Sequence, residues 1–219
     1  GEIETGAFSE VSPSQPNSPY SASKASGDML VRAWNRTYGF PGIVTNCSNN
    51  YGPWQFPEKF IPTIILKTLR GEAIPVYGDG QQVRDWLYVD DHAEALLQIA
   101  STGRPGATYC IGGGAEITNL ELAQTVADLV DEAGASASPE PSRSLIRFVE
   151  DRPGHDRRYA IDHSLLTGEM GWRPAHDFRA GLAETVAWYL DHRDWLTGLA
   201  ERGVAGDRLG LKKTTEASA

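Results

Sequence analysis

The sequence predicts an α/β protein built around a parallel sheet, and three observations predict it. Ala22, Ala25, Met29, Leu30 and Ala33 recur at helical spacing. The run that follows, Gly42-Ile43-Val44-Thr45-Asn46-Cys47, is rich in β-formers and barely alternates, as a strand covered on both faces does. Helix and apolar strand then alternate again downstream, which is the pattern of an α/β fold. The chain has 219 residues, 40 % of them hydrophobic and 22 % charged, enough for one large domain or two small ones.

Residues 1–19 are rich in Ser, Pro and Glu and read as a loop. A helix opens at Ser18-Pro19-Tyr20-Ser21-Ala22-Ser23-Lys24, where proline presets the first turn, and runs to about Tyr38, with Gly39 and Pro41 as its stop. Tyr20 and Lys24 stand four apart, which places them on one helix face with β-carbons about 5–6 Å apart. A phenol is a poor base at neutral pH, but an adjacent ammonium favours its phenolate and fits it to take a proton from a hydroxyl. The same spacing also fits an ordinary surface helix.

After the first strand, Ser48-Asn49-Asn50-Tyr51-Gly52-Pro53 reads as a loop at the carboxyl end of a parallel strand, where ligands bind in open sheets; turn chemistry alone is the alternative. Pro57 to Pro62, with Lys59 and Phe60 inside it, opens a helix whose apolar side is Ile61, Ile64, Ile65, Leu66 and Leu69, ended by Gly71. Lys59 has two readings, capping surface charge or reaching a phosphate. Ile74-Pro75-Val76-Tyr77 is a strand meeting the turn Gly78-Asp79-Gly80. Val83-Arg84-Asp85-Trp86-Leu87-Tyr88-Val89 leads to a helix capped by Asp90 and carrying Ala93, Leu96, Leu97 and Ile99. The Arg84 guanidinium suits phosphate oxygens, or it forms a local pair with Asp85.

Ala107 to Ile111 is a strand running into Gly112-Gly113-Gly114, which lacks dinucleotide-loop spacing and reads as a turn. Thr118 and Glu121 match a capping box, and Asn119 lies inside it. Residues 134–144 form a polar loop, and Ile146 to Val149 a short strand. Asp151-Arg152-Pro153-Gly154-His155-Asp156-Arg157-Arg158 then gathers three arginines and a histidine around a Pro-Gly turn, the clearest anion site in an acidic chain. A short helix from Leu165 stops at Gly171, a last amphipathic helix spans Phe178 to Trp195, and a frayed, flexible tail is expected over 196–219.

The formal net charge of −9 without a Lys/Arg cluster argues against nucleic acid as partner. No apolar run approaches the roughly 18 residues of a membrane span. Two cysteines, Cys47 and Cys110, cannot build a disulfide framework, so a cytoplasmic setting is expected. No histidine has partner ligands at metal spacing, so no metal is expected.

Taken together, S-P-Y-x-x-S-K, N-C-S-N-N-Y-G-P, R-D-W-x-Y-V-x-D and D-R-P-G-H-D resemble the extended short-chain dehydrogenase/reductases of nucleotide-sugar metabolism, and within them the dTDP-glucose 4,6-dehydratases. The resemblance covers residues 6 to about 195. It implies the carboxyl-terminal part of a Rossmann-type doubly wound parallel sheet, residues 1–50 and 81–111, with a smaller sugar-nucleotide domain, residues 51–80 and 112–195. It implies NAD as cofactor, dTDP-glucose as substrate and a homodimer, with 4-keto-6-deoxy sugar as product. Tyr20 and Lys24 would be catalytic and touch the cofactor, as would Asn50. Asn49, Lys59, Phe60, Pro75, Tyr77, Arg84, Asn119, Asp151, Arg152 and His155 would contact the substrate. The dinucleotide glycine motif and the acid and base of the elimination lie upstream in that family, so the chain by itself is expected to be inactive. A GDP-mannose dehydratase, a UDP-sugar epimerase and a non-catalytic sugar-nucleotide binding module are the alternatives.

Overall fold

A computed structural model describes residues 2–202. Helix α1, Pro19–Tyr38, begins where the Ser18 hydroxyl accepts the Ser21 N–H and ends at Gly39, whose φ of 67° is the left-handed turn that glycine adopts without strain. Strand β1, Val44–Cys47, pairs in parallel with β5, Thr108–Ile111, so that Asn46 lies beside Cys110. Only Val44 of β1 is buried, so the expected cover on both faces is not formed. The apolar stripe of α1 lies open as well: Met29, Leu30 and Trp34 are all more than half exposed, and no residue of α1 is buried.

The segment expected as a loop after β1 is instead a strand, β2, Asn49–Tyr51. It pairs in parallel with β4, Val83–Tyr88, in the register Asn50 to Leu87. Three residues need only one neighbour's backbone to satisfy them, and β4 supplies it. β4 also takes β6, Glu116–Thr118, antiparallel, and β8, Arg158–Tyr159, parallel. A separate parallel ladder joins β3, Ile74–Tyr77, to β7, Ile146–Val149.

The larger core forms where α2, Phe60–Leu69, α4, Asn119–Glu132, and α6, Phe178–Asp191, pack together over β3. Ile61, Ile64, Ile65, Leu122, Val126, Val130 and Leu182 are 0 % exposed, and each such side chain contributes about 1.5–3 kcal/mol by leaving water. A second cluster lies between β5, α3, Val89–Thr102, and α5, Ser164–Met170, around Tyr109, Ile111, Ala95, Ile99, Leu166 and Trp172.

Helix α3 departs from expectation in two places. Its N-cap is Tyr88, and Asp90 sits exposed in the first turn; the buried carboxylate is Asp91, which holds His176 through Nδ1 at 2.8 Å. Ala95 and Ile99 are the helix's buried apolar residues, while Leu97 is 71 % exposed. The last helix is two: α6 ends at His192, and α7, Arg193–Glu201, follows. Leu196 is 0 % exposed, so the expected tail begins with a packed helical turn; residues 203–219 of that tail lie outside the described residues.

Candidate active site

Helix α1 presents Tyr20, Lys24 and Asp28 at successive turns, and all three line a cavity of about 270 Å³. The opposite wall comes from the carboxyl-terminal ends of β1 and β5, through Asn46 and Cys110, and from the 151–162 segment, through Asp156, Tyr159 and Ile161. Ligand sites of parallel sheets form at this end of the strands. The wall is tied to the helix, since Asn46 Nδ2 donates to Asp28 Oδ2 at 3.1 Å.

The two tyrosines of the cavity differ in what they can do. Tyr159 donates its hydroxyl to the Cys47 carbonyl at 3.1 Å, and burial raises its phenol well above the usual value. It is a fixed donor. Tyr20 is 72 % exposed, with Lys24 one turn along the same face. The Lys24 ammonium lies toward β1: burial raises the Cys47 thiol, and Lys24 is among the influences that oppose the rise. Cys110 is no nucleophile here, because burial, with Glu10 and Asp162 behind it, pushes its thiol up to about 12.

A second group gathers at the turn between β3 and β4. The Arg152 guanidinium lies 5.4 Å from the centre of the Tyr77 ring. His155 Nδ1 meets Asp151 Oδ1 at 2.6 Å, and Gln82 Nε2 donates to Asp151 Oδ2 at 2.9 Å. Burial acts to raise the Asp151 carboxyl, but the bonds from His155, the Arg152 N–H and Gln82 outweigh it and hold it below the usual carboxylate range. Burial lowers His155 in turn, helped by the charges of Arg152 and Arg84 and opposed by Asp151. The dyad is therefore a neutral imidazole donating to a carboxylate. Asn119 joins through its N–H, which donates to the Gln82 carbonyl at 3.0 Å.

Arg84 does not pair with Asp85. Adjacent residues of a strand face opposite ways, and Arg84 donates to the Val83 and Asp156 carbonyls, each at 2.7 Å. Those bonds occupy two of the five N–H donors of a guanidinium. Burial pulls its pKa down, while the Asp156 carboxylate resists. Asp156 also lines the Tyr20 cavity, so this residue connects the two groups.

The three-arginine anion site is narrower than the sequence suggests. Arg157 pairs with Asp79 at 2.8 Å and Arg158 with Glu116 at 2.7 Å, and Arg152 lies beside Tyr77. Lys59 is exposed and pairs with Glu58 at 2.9 Å, while Phe60 packs against the larger core. Pro75 is half-buried in β3, and Asn49 is exposed in β2. Asn50 does not line the Tyr20 cavity; its Oδ1 meets His92 Nδ1 at 2.5 Å and its Nδ2 donates to the Ser48 carbonyl at 3.2 Å.

Gln82, His92 and Asp28 are polar residues of this region that the motifs do not single out. Gln82 stands just ahead of β4 and carries no signal of its own. His92 had none, because only the β2–β4 register brings α3 over Asn50.

For a dinucleotide, the donor set fits in part. A phenol and an ammonium on one exposed helix face suit ribose hydroxyls, and among the described residues Lys24 enters no ion pair. Among the described residues no group of three or more His, Cys, Asp or Glu is placed to hold a metal ion, and no helix is long and apolar enough to cross a membrane.

Comparison with known proteins gives the same direction. Residues 1–185 match the family described as GDP-mannose 4,6 dehydratase. The dTDP-glucose 4,6-dehydratase of Xanthomonas campestris is 53 % identical over 207 residues, covering 94 % of this chain and 59 % of that protein. A crystal structure of a dTDP-glucose 4,6-dehydratase from Streptomyces venezuelae with NAD bound superposes with a TM-score of 0.82 at 46 % identity, over 89 % of this chain and 58 % of that one. The Bacillus anthracis dTDP-glucose 4,6-dehydratase in complex with NAD gives 0.83 at 45 % identity, over 91 % and 61 %. The chain thus spans about three-fifths of the length of these relatives.

Proposed function

The chain belongs to the GDP-mannose 4,6 dehydratase family, and we propose that it carries the proton-transfer and sugar-nucleotide machinery of an NAD-dependent dTDP-glucose 4,6-dehydratase. The observation that carries this reading is Tyr20 with Lys24 on one open face of α1, against a cavity whose other tyrosine is a locked donor.

NAD, when bound, accepts a hydride from the sugar and gives one back, so it is recycled. Tyr20 takes the proton of the carbon-4 hydroxyl as that oxidation proceeds. The Lys24 ammonium, one turn along the same face, donates to the ribose. Asn50, its carboxamide fixed by His92, is the amide assigned to the nicotinamide side. Arg84 and Arg152 offer planar donors to the diphosphate. Tyr77, Asn119, Asp151 and His155 complete the nucleotide contacts, with Asn49, Lys59, Phe60 and Pro75 at their margin. The division into a dinucleotide-binding part, residues 1–50 and 81–111, and a sugar-nucleotide part, residues 51–80 and 112–195, belongs to the same reading. So do a cytoplasmic setting and a homodimer; the open stripe of Met29, Leu30 and Trp34 supports the latter.

Relatives at 53 % identity favour dTDP-glucose over GDP-mannose, the sugar nucleotide named by the family description. The test is a dehydratase assay on this chain joined in frame to the amino-terminal part of its Xanthomonas campestris relative. dTDP-glucose, UDP-glucose and GDP-mannose are offered separately, and the keto-sugar is read by its absorbance in alkali. Product from dTDP-glucose alone is expected; product from GDP-mannose or UDP-glucose alone refutes the assignment. The chain without that part, given NAD and dTDP-glucose, is expected to form no product.

A further inference from the structure

Gln82 is 2 % exposed and sits where three segments of the proposed nucleotide site meet. Its side chain donates to Asp151 Oδ2 at 2.9 Å, and its carbonyl accepts the Asn119 N–H at 3.0 Å. Next along the chain, the Val83 N–H donates to the Arg157 carbonyl at 2.9 Å. Its own Oε1 is buried without a hydrogen-bond partner among the described residues.

Turning the carboxamide over would set Oε1 against the Asp151 carboxylate, acceptor against acceptor, so Nε2 must face Asp151. A bond to a charged group and a buried orphan acceptor are of similar size and opposite sign. Gln82 therefore adds little to net stability. What it fixes is position. Gly78 packs over the pair with a φ of +59°, and a β-carbon there would lie 2.8 Å from Asp151 Oδ2 and 2.9 Å from Gln82 Nε2. The turn after Tyr77 and the Asp151 carboxylate are thereby set at one distance, and Asp151 in turn holds His155.

We infer that Gln82 is a positioning residue for the nucleotide diphosphate: it sets the Asp151–His155 loop at the right height beside Tyr77 and Arg152 without touching the ligand. The inference rests on the reading of Arg84, Arg152 and Tyr77 as the nucleotide site. It is tested on the full chain with thymidine 5′-diphosphate as probe, by calorimetric titration and thermal melting of wild type, Gln82→Met, Gln82→Glu and Arg84→Ala. Gln82→Met is expected to weaken binding about tenfold while its melting temperature stays within about 2 °C of wild type. Gln82→Glu, which places a carboxylate against Asp151, weakens binding further. The His155 ring resonances should shift in Gln82→Met while those of His92 stay put. A melting temperature that falls with binding unchanged would mean a merely structural role and overturns the inference. Unchanged Gln82→Met binding beside lost Arg84→Ala binding overturns it too, yet leaves the site reading standing. No binding by wild type overturns both.

Discussion

The Asp85 carboxylate, 1 % exposed, accepts the Gly113 N–H at 3.2 Å, and its other oxygen takes the Ala115 N–H at 2.9 Å. It also accepts the Ser48 hydroxyl. One side chain of β4 thus pins the glycine turn after β5 and the end of β1. A β-carbon on Gly113 would lie 1.8 Å from the Trp86 carbonyl, so the turn touches β4 directly.

Replacing Asp85 with Ala orphans the Ala115 N–H and the Ser48 hydroxyl proton and leaves the Gly113 N–H only its bond to Ser48 Oγ at 3.2 Å. The expected loss is about 3 kcal/mol or more in urea unfolding. A loss below about 1 kcal/mol would show that the turn does not depend on the carboxylate.

Arg84, on the other face of the same strand, is expected to act on ligand more than on stability. Arg84→Lys keeps the charge but loses the planar fork, and thymidine diphosphate affinity should fall about tenfold with stability little changed. Equal affinity for Arg84→Lys and wild type would remove Arg84 from the diphosphate site.

These two neighbours show what the sequence makes legible and what it withholds. R-D-W as a string marks the site, but only the pleat decides that Arg84 faces Asp156 and Asp85 the glycine turn. The Tyr20 helix was readable from the Pro19 turn to the Gly39 stop, because those signals and the period are local. Strand β2 was not, since three residues of Asn-Asn-Tyr become a strand only through β4, some 35 residues on. Arg157 and Arg158 read as anion binders for the same reason: Asp79 and Glu116 are remote in sequence.

Acidification should destabilise the fold from near neutrality downward. Burial holds His92 and His155 below 6.5, so the native state binds fewer protons than the unfolded chain there. Their contribution is full above about pH 6.5 and is lost as pH falls through the lowered native values. Melting temperature should drop by at least about 2 °C between pH 7.5 and 5.5, and less in His155→Gln. A flat profile over that range contradicts the assignment.

Gly39→Ala forces a β-carbon into the left-handed cap of α1 and should cost about 1 kcal/mol. Nothing lies within 4 Å of that β-carbon, so conformation is the sole cause. Chemical denaturation of the variant measures it, and an unchanged midpoint would refute it.

The central claim is that Tyr20 is the base. The most direct measurement is kcat for dTDP-glucose in the chain completed with its relative's amino-terminal part, comparing wild type with Tyr20→Phe. Loss of one hydroxyl should lower kcat about 10²–10⁴-fold while thymidine diphosphate binds as before. A Tyr20→Phe enzyme that turns over at the wild-type rate would contradict the account and return the proton transfer to another group.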